Sequence, residues 1–202
     1  MLVSSIITDL SARIQDPDNI DVSSAVVLQK LNDAISDMAI YLNINYLREL
    51  QTQEEIQLSI TTRLYNMTGL TSAIHNNRIM SFRRKSDDVY FDEISEQEAT
   101  NSHVTGTDNF PTYYVFGTTI YGGYDATAAL DCYLRFIKAP TIVVSTDNFT
   151  TSGLNARYED LTLLLAESKL WALSITEYAA SQATKAITAA MEAIKALNEV
   201  AN

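Results

Sequence analysis

Two histidines, one cysteine and a group of glutamates have the widest chemical reach in this chain, and none stands in a pattern that catalysis or metal binding requires. His75 and His103 fall in separate polar stretches. No H-E-x-x-H spacing puts two imidazoles on one helix face, and a single thiol, Cys132, leaves no second cysteine for a zinc site. Glu93, Glu96 and Glu98 are close in sequence, but a carboxylate pair for glycoside cleavage works across a cleft, and on a short helix they read as surface acids. The run DPDNID at 16–21 offers oxygens at Asp16 and Asp18. Ile20 stands where a calcium loop needs its third ligand and no glycine follows, so a polar turn is the expectation. Phosphate loop, dinucleotide fingerprint and nucleophile elbow are all missing from the sequence. The expectation is a protein that is not an enzyme, with no catalytic, cofactor-binding or metal-binding residue and no cofactor.

Two other groups could serve recognition. Arg83-Arg84-Lys85 is the one basic run. It could touch nucleic acid, but with Asp87 and Asp88 adjoining it reads better as a solvated hairpin end or a contact for an acidic partner. Tyr113, Tyr114, Tyr121 and Tyr124 make a tyrosine-rich stretch, and exposed aromatics bind sugars and peptides. A non-enzymatic carbohydrate- or peptide-binding module is therefore the alternative reading.

The elements that must position these residues follow from hydrophobic period. Leu2, Ile6, Leu10 and Ile14 mark a first helix, which should stop near Gln15 because Pro17 pushes its predecessor out of helical geometry. Leu28, Leu31, Ile35, Met38 and Leu42 mark a second helix, begun by Ser23 or Ser24 as N-cap. From Glu54 the period drops to two, with Ile56, Leu58 and Ile60 facing one way. The stretch 64–69 reads as the end of a second short strand in a turn. Short strands are expected at 78–85, 113–116 and 119–121, with Asp87-Asp88 turning the chain into Val89-Tyr90-Phe91 and further turns at Gly117-Thr118 and Gly122-Gly123. Ser95 and Glu98 fit a capping box ahead of a helix over 96–101. The last strand alternates Ala128, Leu130, Cys132, Leu134 and Phe136 inward, which makes Cys132 a small buried hydrophobe. The Thr/Ser/Asn-rich stretch 141–153 reads as a connecting loop. Asn155 then caps a leucine-rich helix containing Trp171, a break is expected around 178–184, and an alanine-rich helix closes the chain with Ile187, Met191, Ile194 and Leu197 on one stripe. Whether that C-terminal part is one helix or two, and whether it extends beyond the body or stays in the bundle, is open.

These elements add up to an α+β fold. A discontinuous helical bundle, 1–50 and 154–202, carries an inserted, mainly antiparallel β-module with loops, 51–153. At 202 residues, 47% hydrophobic and 19% charged, the chain can build its own cores without a staple. One cysteine excludes an internal disulfide framework. No signal peptide and no membrane span are expected, so a soluble protein, cytoplasmic when synthesised if made in bacteria, is the expectation. The net charge of −11, from 25 acids against 14 bases, argues against a general DNA-binding surface. It is compatible with a wall that DNA slides past, and plain solubility explains it as well.

The order of motifs carries a resemblance. Tyr90-Phe91-Asp92-Glu93-Ile94-Ser95 is followed by Gly106, Pro111-Thr112-Tyr113-Tyr114, Gly117 with Ile120-Tyr121, and the strand end Leu134-Arg135-Phe136-Ile137-Lys138-Ala139-Pro140, between two N-terminal helices and a helical C-terminus. This order resembles the head-to-tail adaptor proteins of tailed bacteriophages. The resemblance implies a structural ring protein in the virion neck, twelve copies beneath the portal. It would join portal to tail or nozzle protein and line the channel through which DNA passes without sequence-specific binding or any membrane. The subunit or portal interface is then expected at Leu163, Leu170, Ile187, Met191, Ile194 and Leu197. Contacts from the β-module are expected at Arg83, Arg84, Lys85, Tyr113 and Tyr124.

Overall fold

The computed structural model describes residues 1–14, 22–59, 61–101, 110–124 and 128–200. The loop at 16–21, Ile60, Gly106 and His103 lie outside the described residues. The chain is α+β and divides into two compact units, residues 1–50 with 140–202, and residues 51–139.

The first unit is helical: α1 (Val3–Ile14), α2 (Ser24–Tyr41), α4 (Glu159–Trp171) and α5 (Glu177–Val200). α1 buries Val3, Ile6, Ile7, Leu10 and Ile14 on one stripe, as its period dictates. α2 starts at Ser23, whose hydroxyl accepts from the Val26 amide, and buries Val27, Leu31, Ala34, Ile35, Met38 and Ala39. α4 is the centre, packing against α1, α2 and α5. A helix with neighbours on three sides must be apolar nearly all round, and Leu163, Leu165, Ala166, Leu170 and Trp171 are buried. Its two buried hydroxyls are satisfied by the helix itself: Thr162 donates to the Tyr158 carbonyl and Ser168 to that of Leu165, both at 2.8 Å.

The stretch 140–153, expected with the β-module, clusters with the helices. It is tied there by hydrogen bonds. Asn32 on α2 grips Val143 twice, donating to its carbonyl at 3.1 Å and accepting from its amide at 2.9 Å. The Val3 and Ser4 amides donate to the carbonyls of Asp147 and Ser145. These bonds give the first amides of α1, which no helical carbonyl can satisfy, their partners. At the end of the strap Gly153 adopts φ +87°, and a Cβ there would stand 2.5 Å from Leu50 Cδ2, so a larger residue would strain the backbone and displace the Leu50 side chain.

The break before the last helix lies at residues 172–176, earlier than the sequence suggested, and 178–184 is continuous α5. Thr176 explains the start. Its hydroxyl accepts from the Ala179 amide at 3.1 Å and its carbonyl from the Ala180 amide, the bonds of an N-cap.

The second unit holds two sheets. β1 (Gln51–Leu58) and β3 (Ile74–Arg84) flank β7 (Leu130–Lys138), all antiparallel. The other sheet has the order β2 (Leu64–Asn66), β6 (Thr119–Gly123), β5 (Thr112–Phe116), β4 (Asp92–Glu93), with only β4 and β5 parallel. α3 (Glu96–Asn101) follows β4. Ile56 and Leu58 from β1, Phe82 from β3 and Cys132, Leu134 and Phe136 from β7 meet Tyr113, Ile120 and Tyr124 in one core. Phe82 stacks on Phe91 at 4.4 Å and meets Tyr113 edge-on at 5.4 Å. β3 begins at Ile74, ahead of the expected 78. Its register slips around Asn76 and Asn77, both at positive φ, where asparagine is tolerated. Ala128 lies outside β7 and is exposed.

Gly122 and Gly123 do not turn the chain. They continue β6, paired with Tyr113 and Thr112. A Cβ on Gly122 would come within 2.8 Å of Leu58 Cδ1 and 3.2 Å of the Tyr124 ring, so the glycine serves close approach across the core.

Candidate functional site

The residues with reactive side chains are used structurally. Glu98 accepts from the Ser95 amide at 2.7 Å and its hydroxyl at 2.8 Å, closing the capping box, and these bonds hold its carboxyl below the usual range. Glu93 accepts from the Tyr113 hydroxyl at 3.2 Å. Burial, with Glu93 adding to it, pushes the Tyr113 phenol well above the ordinary tyrosine range. Cys132 is fully buried in the core of the β-module. Among the described residues no group of three or more His, Cys, Asp and Glu side chains is placed to hold a metal ion.

The basic run is neutralised where it stands. Arg83 pairs with Asp88, Arg84 donates to both oxygens of Asp87 at 2.7 and 2.5 Å, and Lys85 reaches Glu55 on β1 at 2.5 Å. The fork of Arg84 lowers the Asp87 carboxyl, and the bond to Glu55 raises the Lys85 ammonium. Arg83 and Lys85 also lie over the Tyr133 ring, at 5.0 and 5.9 Å. The two aspartates that adjoin the run in sequence are therefore its partners, and little net charge is offered outward.

The tyrosines separate into two sets. Tyr113 and Tyr124 are 4% and 1% exposed and belong to the core, so neither side chain is available to a partner. Tyr114 and Tyr121 face each other across β5 and β6 with rings stacked 4.7 Å apart and 9° from parallel. Alternation along β5 decides this: Tyr113 and Val115 point inward, Tyr114 and Phe116 outward.

The helical residues separate in the same way. Leu163, Leu170 and Ile194 are buried within the unit, and Leu197 is half-buried. Ile187 and Met191 are exposed. α5 turns its small residues inward, burying Ala179, Ala186 and Ala190 with Ile194. The larger Ile187 and Met191 fall one position round the helix and face solvent. Met191 borders a shallow, mainly apolar recess of about 590 Å³ with Tyr41, Lys195 and Asn198. Asn198 closes its floor, donating to the Tyr41 carbonyl at 2.8 Å and accepting from the Asn43 amide at 2.7 Å.

Other exposed apolar residues escaped sequence reasoning: Leu173 and Ile175 in the α4–α5 link, and Ile142 and Val144 on the strap. Ile142 and Val144 stand among Thr and Ser in the stretch that reads as a connecting loop, whereas Leu173 and Ile175 stand in the leucine-rich stretch ahead of the expected break at 178–184, where Leu173 reads as part of the helix. Among the described residues, the exposed large apolar side chains are concentrated on the helical unit.

The family model described as SU10 adaptor protein matches residues 1–202. No curated protein matches the chain. No helix among the described residues is long and apolar enough to cross a membrane.

Proposed function

The chain belongs to the SU10 adaptor protein family, which makes it a structural adaptor of a phage virion, and on that premise we propose that its copies form a closed ring beneath the portal. The ring joins portal to tail or nozzle protein and lines the passage for DNA. Twelve copies is what the resemblance implies. The whole-chain family match carries this reading. The exposed Leu173, Ile175, Ile187 and Met191 support it, because apolar side chains left on a helical surface gain free energy when a second chain covers them. The net charge of −11 supports a channel wall that DNA passes without adhering. The ring does no chemistry and needs no cofactor, and it assembles in the host cytoplasm.

Of the interface expected from sequence, Ile187 and Met191 are retained in this proposal, with Leu197 at its margin, since Leu163, Leu170 and Ile194 already have partners inside the unit. From the β-module, the neutralised Arg83, Arg84 and Lys85 give specificity of contact more than attraction. The test is native mass measurement of the protein alone and mixed with its portal. A portal-bound species carrying a fixed number of copies is expected. A protein that stays monomeric beside a portal ring would end the reading.

A further inference from the structure

A second recess of the helical unit, about 470 Å³, is polar, and its chemistry points to a ligand. Tyr46, Arg48, Glu49, Asn155, Arg157 and Val200 line it. Three short 3-10 turns, Ile44–Tyr46, Arg48–Leu50 and Ala156–Tyr158, bring these residues together. The Arg157 guanidinium lies 5.1 Å from the Tyr46 ring centre and 4.6 Å from that of Tyr158, and it donates to the Tyr158 hydroxyl. Tyr158 is buried, and the Tyr46 hydroxyl is tied to the Leu197 carbonyl at 2.9 Å. Arg157 is therefore oriented by two fixed rings.

Among the described residues the recess lacks a counter-ion. Arg13, Lys30 and Lys169 of the same unit each have a carboxylate at 3.3 Å or less. Arg48 and Arg157 have none among the described residues. Glu49, the acid in the wall, accepts from Asn155 at 3.1 Å. Among the described residues, two guanidiniums against one engaged carboxylate leave a positive recess on a chain of net charge −11. A forked guanidinium matches the two oxygens of a carboxylate. A phosphate backbone fits less well, because DNA is held by rows of basic groups, and this is one recess with an acid in its wall.

We propose that this recess is a carboxylate site occupied by an acidic side chain of a second copy of this chain. The inference rests on the ring reading above. The same helical unit offers exposed acids without an ion pair among the described residues, Asp160, Glu177 and Glu192, so one copy can supply what another lacks.

The experiment titrates the full chain with sodium acetate at constant ionic strength and follows the arginine Nε–H resonances. Self-association in the presence of portal is measured alongside. Arg48→Gln is the main variant because that side chain is exposed and packs on neither tyrosine; Arg157→Gln is the second. Expected are a saturable acetate shift at Arg157 in the wild type, and about tenfold weaker acetate binding and self-association in Arg48→Gln. A shift reproduced by chloride alone, or a tighter response to a short DNA duplex than to acetate, overturns the carboxylate assignment. Unchanged self-association in both variants overturns the second-copy occupant and leaves the ring standing. A wild-type protein that stays monomeric with portal removes the ring and this occupant together, while the acetate shift still reads the site.

Discussion

The Cys132 thiol sits near the start of β7 with no exposed surface, and burial, reinforced by the neighbouring Asp131, pushes its pKa up to about 12. Thiolate is the reactive form, so native protein at pH 8 should react with a disulfide reagent far more slowly than denatured protein. Fast, complete labelling without denaturant would show that the strand face is wrong. The same shift has a consequence in alkali. The folded state keeps its proton above the ordinary thiol pKa of about 8.5, where the unfolded chain loses it, so stability is full below that pH and falls as pH rises toward 12. Tyr113, shifted in the same direction, adds to the loss. Cys132→Ala should therefore lose stability less steeply than the wild type above pH 9 in denaturant titrations. Cys132 was legible because strict alternation along Cys132, Leu134 and Phe136 leaves one choice of face. Tyr113 and Tyr124 were not, since a tyrosine on a short strand suits either face until the opposing sheet is known. Gly122 is similar: a glycine pair reads as a turn, and only the nearness of Leu58 reveals a strand. Gly122→Ala should cost about 1–3 kcal/mol in urea denaturation, as overpacking does. A neutral result would mean that the core is looser there than the 2.8 Å approach requires.

Among the elements, α5 departs furthest from what its sequence suggests. Its larger apolar residues, Ile187, Met191, Ile194 and Leu197, look like the packing stripe, yet the buried face is Ala179, Ala186, Ala190 and Ile194. Small side chains let α4 and α5 approach closely, and Trp171 at the end of α4 meets Tyr178 of α5 edge-on at 5.8 Å. Hydrophobicity scales weigh alanine lightly, so periodicity followed the bulky residues one position off the contact. The helix start was missed for a related reason: Thr176 caps α5, but blurred spacing farther on drew attention away from it. Ala190→Leu should destabilise the helical unit by about 1–3 kcal/mol, read as a lower denaturation midpoint. Thr176→Ala should cost about 1 kcal/mol through the lost cap. Equal stability in both variants would mean that α5 is held by something other than this face and this cap. α1 and α2 were legible in outline because their buried stripes are regular, with Pro17 after the first and the Ser23 cap before the second. α4 was legible from its leucines alone: Asn155, expected to cap it, accepts instead from the Arg157 amide and caps the 3-10 turn Ala156–Tyr158, and α4 starts at Glu159 without a side-chain cap.

At the scale of the whole chain, period switches at Leu50 and near Pro140 mark where the β-module is inserted, and the ties of 140–153 to Asn32 and α1 could not be seen because they are single hydrogen bonds between distant residues. Assembly is the property that remains to be tested at this scale, and truncation is a poor tool for it. Removing 186–202 takes Ala186, Ala190 and Ile194 out of the core and removes the Asn198 bonds to Tyr41 and Asn43, so lost attachment to portal would report damaged folding as readily as a lost contact. Ile187→Gln with Met191→Gln separates the two. Both positions are exposed and glutamine is a good helix former, so the melting temperature should move by about 2 °C or less. If these side chains are buried against a neighbouring chain, each lost burial is worth about 1–2 kcal/mol, and the pair should weaken ring formation or portal attachment by tenfold or more. Sedimentation of the variant with portal measures this directly. An unchanged melting temperature together with unchanged attachment would place the contact elsewhere, with Leu173 and Ile175 the next exposed pair to replace.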